Sequence, residues 1–477
     1  MHSEYIERVV DLTDPALNRL YNLSVEEARA RVLANDADGV RAIEGSFALL
    51  ARDGKTVRMA RSLDRPMRYF LAKRAAGPAL IVADRIDAIH EQLKREGLAE
   101  QFHPSYTRMV PAHYIIELQL IGCPDPDPTY TRFFNPQRNK LSTDLDEIGR
   151  AYIGALAEEI RKWLQRTSSG AGVPPATSPA SVSLAEATSA ETAKGRVAAG
   201  TAAPLTAPGL GVCFSGGIDS GAVLLTTYHV LRQLGLSPSR LKAFTLSFGD
   251  GPDLQQAREF LKRVGLEMLL EPIEADLSSI DVRETIRVLE DYKPLDVECA
   301  SMGLTLCRGI RERYPDWKFL IDGDGGDENL KDYPIEENKE LTIRSVVHNT
   351  MLYQEGWGVG RIKHSLTYSG GLSRGYVRTY APGRHYGFDS FSPFTQPNVI
   401  EVAEGIPLIA LTDYSVEKLY ALKGEIVARG VKAVTGIDMP IFPKRRFQHG
   451  ALPVEQLRQR VPQREVDFRK QFLAMYQ

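Results

Sequence analysis

The stretch from Leu210 to Ser220, read as Leu-Gly-Val-Cys-Phe-Ser-Gly-Gly-Ile-Asp-Ser, constrains this chain more than any other. Leu210 to Phe214 is an apolar run of strand length, Ser215-Gly216-Gly217 breaks it, and the residues from about Asp219 onward read as helix. That order makes a pyrophosphate cradle. Glycines let backbone N–H groups approach phosphate oxygens, and the helix turns the positive end of its dipole toward the anion. Ser215, Gly216, Gly217, Asp219 and Ser220 are the expected phosphate contacts, with Asp219 a candidate Mg²⁺ ligand. Two glycines alone would suit an ordinary strand-to-helix turn, whereas the whole hexapeptide after a strand is much rarer.

A second loop belongs with the first. Lys318 to Ile321 reads as a short buried strand leading into Asp322-Gly323-Asp324-Gly325-Gly326-Asp327-Glu328. Carboxylates so close together repel one another unless a cation or cationic substrate sits among them. Asp and Gly are also the usual residues of a solvated turn. Paired with the cradle at a neighbouring strand end, the run reads as the second half of a metal and nucleotide site, with Asp327 the second metal ligand. Beyond the cradle, short strands such as Ala243 to Phe248 alternate with helical patterns such as Asp253 to Val264 and Ser301 to Arg313, an α/β signature. From about Glu336 onward the pattern is mainly helical.

A length of 477 residues with 43% hydrophobic content allows about two to three domains with sizeable cores. No run approaches a membrane span of ~20 apolar residues. The net charge of −2 gives no overall attraction to nucleic acid or an anionic membrane, and neither is expected as a partner. Of the four cysteines, Cys213 and Cys307 lie in apolar runs that suit buried thiols, and none shows zinc-ligand spacing. The N-terminus lacks a basic flank and an apolar core of the signal-peptide kind, so a cytoplasmic location is expected. Residues 167–208 are dominated by Ala, Ser, Thr, Gly and Pro and cannot form a core, which reads as a flexible insertion. An amphipathic helix precedes it. Asp144 and Glu147 fit a capping-box-like start, and Ile148, Tyr152, Leu156, Ile160 and Trp163 share one face.

These loops and their surroundings resemble the asparagine synthetase family, whose synthetase domain is an ATP pyrophosphatase. Phe244-Thr245-Leu246-Ser247-Phe248 followed by Pro252-Asp253-Leu254 and Ala257 is similar to the family's adenine-side strand and the segment after it. Ser392-Pro393-Phe394 stands where the family has a Val-Pro-Phe-Leu-Asp run, and Lys444-Arg445-Arg446-Phe447-Gln448-His449-Gly450 is similar to the segment carrying its catalytic lysine. The resemblance implies ATP and Mg²⁺ as cofactors, Leu246, Ser247, Phe248 and Gly323 as further ATP contacts, and Lys444 as the cation beside the reacting phosphate. Asp324 and Glu328 are candidates for proton transfer. Upstream, Gly45 to Leu49, Arg61 to Phe70, Ile81 to Ala83 and Pro111 to Tyr114 read as strands of the family's glutaminase half. That half uses an N-terminal cysteine, where this chain has His2, and no cysteine precedes Cys123.

The expected architecture is α/β. A degenerate, non-catalytic glutaminase-like α+β domain rich in β-structure covers residues 1–135. A parallel-sheet ATP pyrophosphatase domain of the adenine nucleotide α-hydrolase-like kind covers 136–477, with a mainly helical C-terminal part and the insertion 167–208. The expected activity is adenylation of a small-molecule carboxylate, releasing pyrophosphate, and transfer of the acyl group to ammonia or an amine. The nitrogen would come from solution, a separate glutaminase or an amine-donor protein, and a homodimer is a further expectation. Glu298 replaces an arginine of asparagine synthetases and Gln396 replaces the acid of the Val-Pro-Phe-Leu-Asp run, so an ordinary aspartate pocket is not expected. Two alternatives stay open: an intramolecular cyclase like β-lactam synthetases or lasso-peptide cyclases, and an inactive partner-binding scaffold.

Overall fold

The computed structural model describes residues 8–74, 78–119, 128–168, 209–249, 251–333, 335–337, 341–349, 376–443, 454–461 and 464–477. In its N-terminal third, β1 (Arg8–Leu12), β6 (Arg68–Ala72), β7 (Ala79–Ala83) and β8 (Arg108–Met109) form one sheet in the order β1-β7-β6-β8. A second, antiparallel sheet has the order β10-β9-β5-β4, from β4 (Ala48–Asp53), β5 (Thr56–Arg61), β9 (Tyr114–Gln119) and β10 (Thr129–Arg132). β2 (Arg19–Leu20) and β3 (Gly45–Ser46) make a short antiparallel pair. Successive strand residues face opposite sides, so Val57, Met59, Ile116 and Leu118 of one sheet meet Tyr69, Leu80 and Val82 of the other in one buried cluster. The outer faces take helices: Ala28 and Val32 of helix Val25–Leu33 cover Leu49 and Ala60, and Ile89 and Leu93 of helix Ile86–Arg95 cover Phe70 and Ile81.

The run Arg61 to Phe70, read as strand from sequence, contains the end of β5 and the start of β6 with a corner, Ser62 to Met67, between them. Buried Arg61 is the reason. Its Nε donates to the Val110 carbonyl at 2.5 Å and its Nη1 donates to the carbonyls of Ser62, Leu63 and Arg65, which draws the backbone into a turn. Pro111 to His113 likewise turns before β9 begins at Tyr114.

The remaining strands, β11 (Leu210–Cys213), β12 (Leu241–Ser247), β13 (Leu270–Glu274), β14 (Phe319–Ile321) and β15 (Asp389–Phe391), form a wholly parallel sheet ordered β13-β12-β11-β14-β15. The chain winds outward from β11 through β12 and β13, then returns to place β14 on the other side of β11. That reversal creates a crevice beyond the carboxyl ends of β11 and β14, where open α/β sheets bind ligands. β15 is a strand the sequence reading assigned to the helical part.

Helix Leu145–Ser168 packs on one face of this sheet. Trp163 stacks on Phe391 with ring centroids 5.0 Å apart and meets Phe319 edge-on at 5.8 Å. All five residues expected on its buried face are at most 2% exposed. Asp144 Oδ1 accepts from the N–H groups of Asp146 and Glu147, so the cap forms, but Glu147 accepts from the Ser142 hydroxyl instead of closing the box. Thr167 and Ser168, assigned to the insertion, complete this helix, and residues 169–208 lie outside the described residues.

The same helix crosses helix Val416–Thr435 at two facing glycines. A Cβ on Gly430 would lie 2.2 Å from the Gly149 carbonyl oxygen, and one on Gly149 would lie 2.7 Å from the Gly430 nitrogen. Backbone cannot step aside as a flexible side chain can. Gly430→Val is therefore expected to destabilise the fold by about 1–3 kcal/mol, read as a lower denaturant midpoint at unchanged slope. An unchanged midpoint would mean that the helices do not approach this closely.

Candidate functional site

Two loops meet in the crevice. After β11 the chain turns through Ser215 and Gly216, with φ +74° at Gly216, and enters helix Ile218–Gln233 with Gly217 at its N-cap. Gly217 supplies no side-chain cap, and among the described residues the helix N-terminus faces the crevice through backbone N–H groups. The turn is held from within. The Ser215 N–H donates to Ser220 Oγ at 3.3 Å, the Gly217 N–H donates to Ser215 Oγ at 3.4 Å, and the two hydroxyls lie 3.3 Å apart. A Cβ on Gly216 would lie 2.9 Å from the Ala257 nitrogen, so helix Pro252–Arg263 lies directly against the loop.

The acidic loop after β14 touches this cradle through glycines. A Cβ at Gly323 would come within 2.7 Å of the Ser220 nitrogen, and one at Gly326 within 2.2 Å of Asp219 Oδ1. Asp322 is the loop's staple. Its carboxylate accepts from the Asp324 N–H at 3.0 Å and from the Ser392 hydroxyl at 2.9 Å, and burial, reinforced by Asp324, pushes its pKa well up. Asn329 ties the loop to the core by donating to the Phe394 carbonyl at 2.9 Å and to the Tyr152 hydroxyl at 3.2 Å.

Between the two expected metal ligands lies a side chain the sequence reading did not single out. Lys423, on helix Val416–Thr435 and 3% exposed, donates from Nζ to Asp219 Oδ2 at 2.6 Å and to Asp327 Oδ1, with Asp332 Oδ2 at 3.4 Å. Burial alone would lower its pKa. The three carboxylates outweigh burial and hold it well above the usual lysine value, so the ammonium is permanently charged. The signal was present in the sequence: Lys423 interrupts the apolar stripe Leu419, Leu422, Ile426 and Val427. A lysine there must be paired or exposed.

A second acidic group lies toward β15. Helix Pro294–Arg313 carries Asp296 and Glu298, both buried, and Asp291 precedes it. Burial and the neighbouring Asp296 push Asp291 up to about 7. Arg378 comes near Asp296 from the 376–380 turn, whose backbone packs on Gly303, where a Cβ would lie 2.3 Å from the Arg378 carbonyl oxygen. Burial acts against its charge, and Cys299, Glu328, Asp324 and Asp296 more than restore it. Burial also pushes Asp324 up to about 6, with Glu328 and Asp327 adding and Arg378 and Thr379 opposing. Asp296 Oδ1, Asp324 Oδ2 and Glu328 Oε1 are buried and make no hydrogen bond.

The structure thus brings together Ser215, Gly216, Gly217, Asp219, Ser220, Gly323, Asp324, Asp327 and Glu328. Leu246 and Ser247, at the end of β12, are 2% and 1% exposed, and the Leu246 side chain belongs to the core with Phe244 and Ile273, so only its backbone can face a nucleotide. Part-buried Phe248 packs against that core. Lys444 and its segment lie outside the described residues. Among the described residues no three acidic, histidine or cysteine side chains form a metal cage. The paired carboxylates of Asp219 and Asp327 suit a Mg²⁺ that takes its other ligands from phosphate and water. Cys213, Cys299 and Cys307 are free thiols whose pKa values burial raises, which makes them poor nucleophiles. No described helix is long and apolar enough to cross a membrane.

Comparison with known proteins finds a family match over part of the chain. Residues 206–372 match the family model described as asparagine synthase. A probable glutamine-hydrolysing asparagine synthetase of Acanthamoeba polyphaga mimivirus is 25% identical over 120 residues, covering 25% of this chain and 21% of that protein, so the chain matches about a fifth of its relative's length. A crystal structure described as a predicted subunit of tRNA methyltransferase from Methanocaldococcus jannaschii aligns over 36% of this chain and 73% of its own at 19% identity, with a TM-score of 0.16, too low to carry an argument. Residues 206–372, which hold both loops of the crevice, are the part of this chain that is similar to the asparagine synthase family.

Proposed function

We propose that this protein is an ATP-dependent amide ligase that adenylates a carboxylate, releases pyrophosphate, and passes the acyl group to ammonia or an amine. The observation that carries the reading is the Lys423 ammonium fixed between Asp219 and Asp327 at the helix N-terminus of the SGGIDS loop. Backbone N–H groups, a fixed cation and two carboxylates in one crevice are what a triphosphate cleaved at its α-phosphorus requires. The carboxylate oxygen of the substrate attacks that phosphorus, the bond to the β-phosphate oxygen breaks, and pyrophosphate leaves with its charge facing Lys423 and the loop N–H groups. Asp219 and Asp327 would hold the Mg²⁺, which when bound neutralises phosphate charge. Lys444 is the cation proposed beside the α-phosphate, by its resemblance to the family's catalytic lysine.

The acidic surplus around Arg378 supports an amine or ammonium ion as the second substrate. Asp296, Asp324 and Glu328 lie around one guanidinium, and the orphaned oxygens of Asp296 and Glu328 would accept from an incoming N–H. The nitrogen attacks the acyl carbon, its proton passes to a carboxylate such as Asp324, and AMP leaves. Residues 8–119 contain no cysteine, which supports a nitrogen source other than the chain's own hydrolysis of glutamine.

Two experiments follow from this chemistry. With Mg·ATP, its carboxylate and an ammonium salt, the purified protein is expected to form AMP and pyrophosphate, Asp219→Ala to remove both, and glutamine alone to yield no glutamate. ADP and phosphate among the products would sink the adenylation step.

The second concerns pH. With Asp324 as base, acyl transfer is expected to fall about tenfold per pH unit as the pH drops below about 6, where this carboxylate gains its proton. Asp324→Asn should be slow at every pH and lose that limb. A wild-type profile flat to pH 5 would assign the proton transfer to another group.

A further inference from the structure

A cavity of about 400 Å³ lies at the seam between the N-terminal sheets and the parallel-sheet part of the chain, apart from the nucleotide crevice. None of its lining residues belongs to the SGGIDS loop or the acidic loop. Its volume falls in the ordinary range for small-molecule sites. Asp14, Arg65, Asp84 and Arg85 line it from one side, and Arg287, Tyr380, Arg384 and His385 from the other.

The acids in this wall are already answered. Asp84 accepts from Arg65 Nη2 at 2.9 Å and from the Asp14 N–H at 2.7 Å, while Asp14 itself accepts from the Ala16 N–H at 2.9 Å. Asp87 pairs with Arg85 at 2.9 Å. Several of the cationic donors are not. Arg65 is 1% exposed, yet its Nε makes no hydrogen bond. Among the described residues, the guanidinium groups of Arg287 and Arg384 make no ion pair or hydrogen bond. A buried guanidinium N–H without an acceptor costs about 1–3 kcal/mol, and Arg65, Arg85, Arg287 and Arg384 in the wall outnumber Asp14, Asp84 and Asp87, which leaves it a positive surplus.

We propose that this seam cavity binds a small polyanion, a molecule carrying phosphate or several carboxylate groups, held by Arg65, Arg287 and Arg384. The planar fork of arginine suits both kinds of oxygen anion. An occupant would bridge the two parts of the chain. It would also touch Tyr380 and Arg384, within the segment Tyr376 to His385 that carries Arg378 to the acidic pocket. The N-terminal sheets thereby gain a binding role that needs no glutaminase chemistry.

Calorimetric titration of the full chain with inorganic phosphate and, separately, with citrate tests the site. One of the two anions is expected to saturate a single site with a Kd below about 1 mM, phosphate marking a phosphorylated ligand and citrate a polycarboxylate. Arg384→Ala and Arg287→Ala change side chains that hold no partner among the described residues, so the fold should survive, and each should weaken that binding at least about tenfold. Failure of both anions to saturate below about 10 mM overturns the proposal, as does binding that Arg384→Ala changes by less than that factor. Neither outcome bears on the release of pyrophosphate at the crevice, so this site and the ligase reading stand or fall separately.

Discussion

A single buried ammonium organises the crevice. Lys423 satisfies carboxylates from three places in the sequence: Asp219 in the first turn of the helix after the cradle, Asp327 in the acidic loop and Asp332 just beyond it. Without that charge the acids would repel one another in a site with little water to screen them. Removing one partner from a buried ion pair typically costs about 3–5 kcal/mol, because the remaining charge is stranded. The helix bearing Lys423 is seated by the Gly149–Gly430 crossing, where backbone meets backbone. Sheet face, helix crossing, lysine and paired loops therefore form one chain of dependence that ends in the crevice.

Close packing of the two loops gives the site its precision. Gly323 and Gly326 bring the acidic loop against Ser220 and Asp219 at distances no side chain would allow. Asp322 and Asn329 then anchor that loop to Ser392, Phe394 and Tyr152, in the core beneath it. The result is a crevice with two unlike halves. Around the cradle lie backbone N–H groups and Lys423 with its three carboxylates. Toward β15, an excess of buried carboxylates around Arg378 favours a positively charged or N–H-bearing group. That asymmetry suits the proposed joining of an activated acid to an amine, since the phosphate groups and the nitrogen would meet unlike surroundings.

Much of this was legible in the sequence where local chemistry is decisive. Strand, glycine turn and helix after Leu210 are dictated by short-range preferences, and the five-residue apolar face of helix Leu145–Ser168 follows from its period. Other features depend on contacts distant in the chain. β15 has only three residues and no alternation to mark it, so its pairing with β14 is set by the sheet. Glu147 fits a capping box, yet the Ser142 hydroxyl captures it. Arg378 stands in a stretch with no motif, and its turn packs on Gly303 of a helix distant in sequence. Lys423 was the readable omission, a lysine on an apolar stripe whose partners lie about a hundred or more residues away in sequence.

The central claim is that Lys423 acts as an ally of the phosphates rather than as a stand-in for the metal. Equilibrium titration with Mg·pyrophosphate tests it, comparing the wild type with Lys423→Met in protein whose folding is verified by circular dichroism. If the ammonium holds departing pyrophosphate alongside Asp219 and Asp327, the methionine variant should bind Mg·pyrophosphate at least about tenfold more weakly. Equal or tighter binding by Lys423→Met would contradict the account, because it would mean that the lysine merely fills the place a metal ion takes.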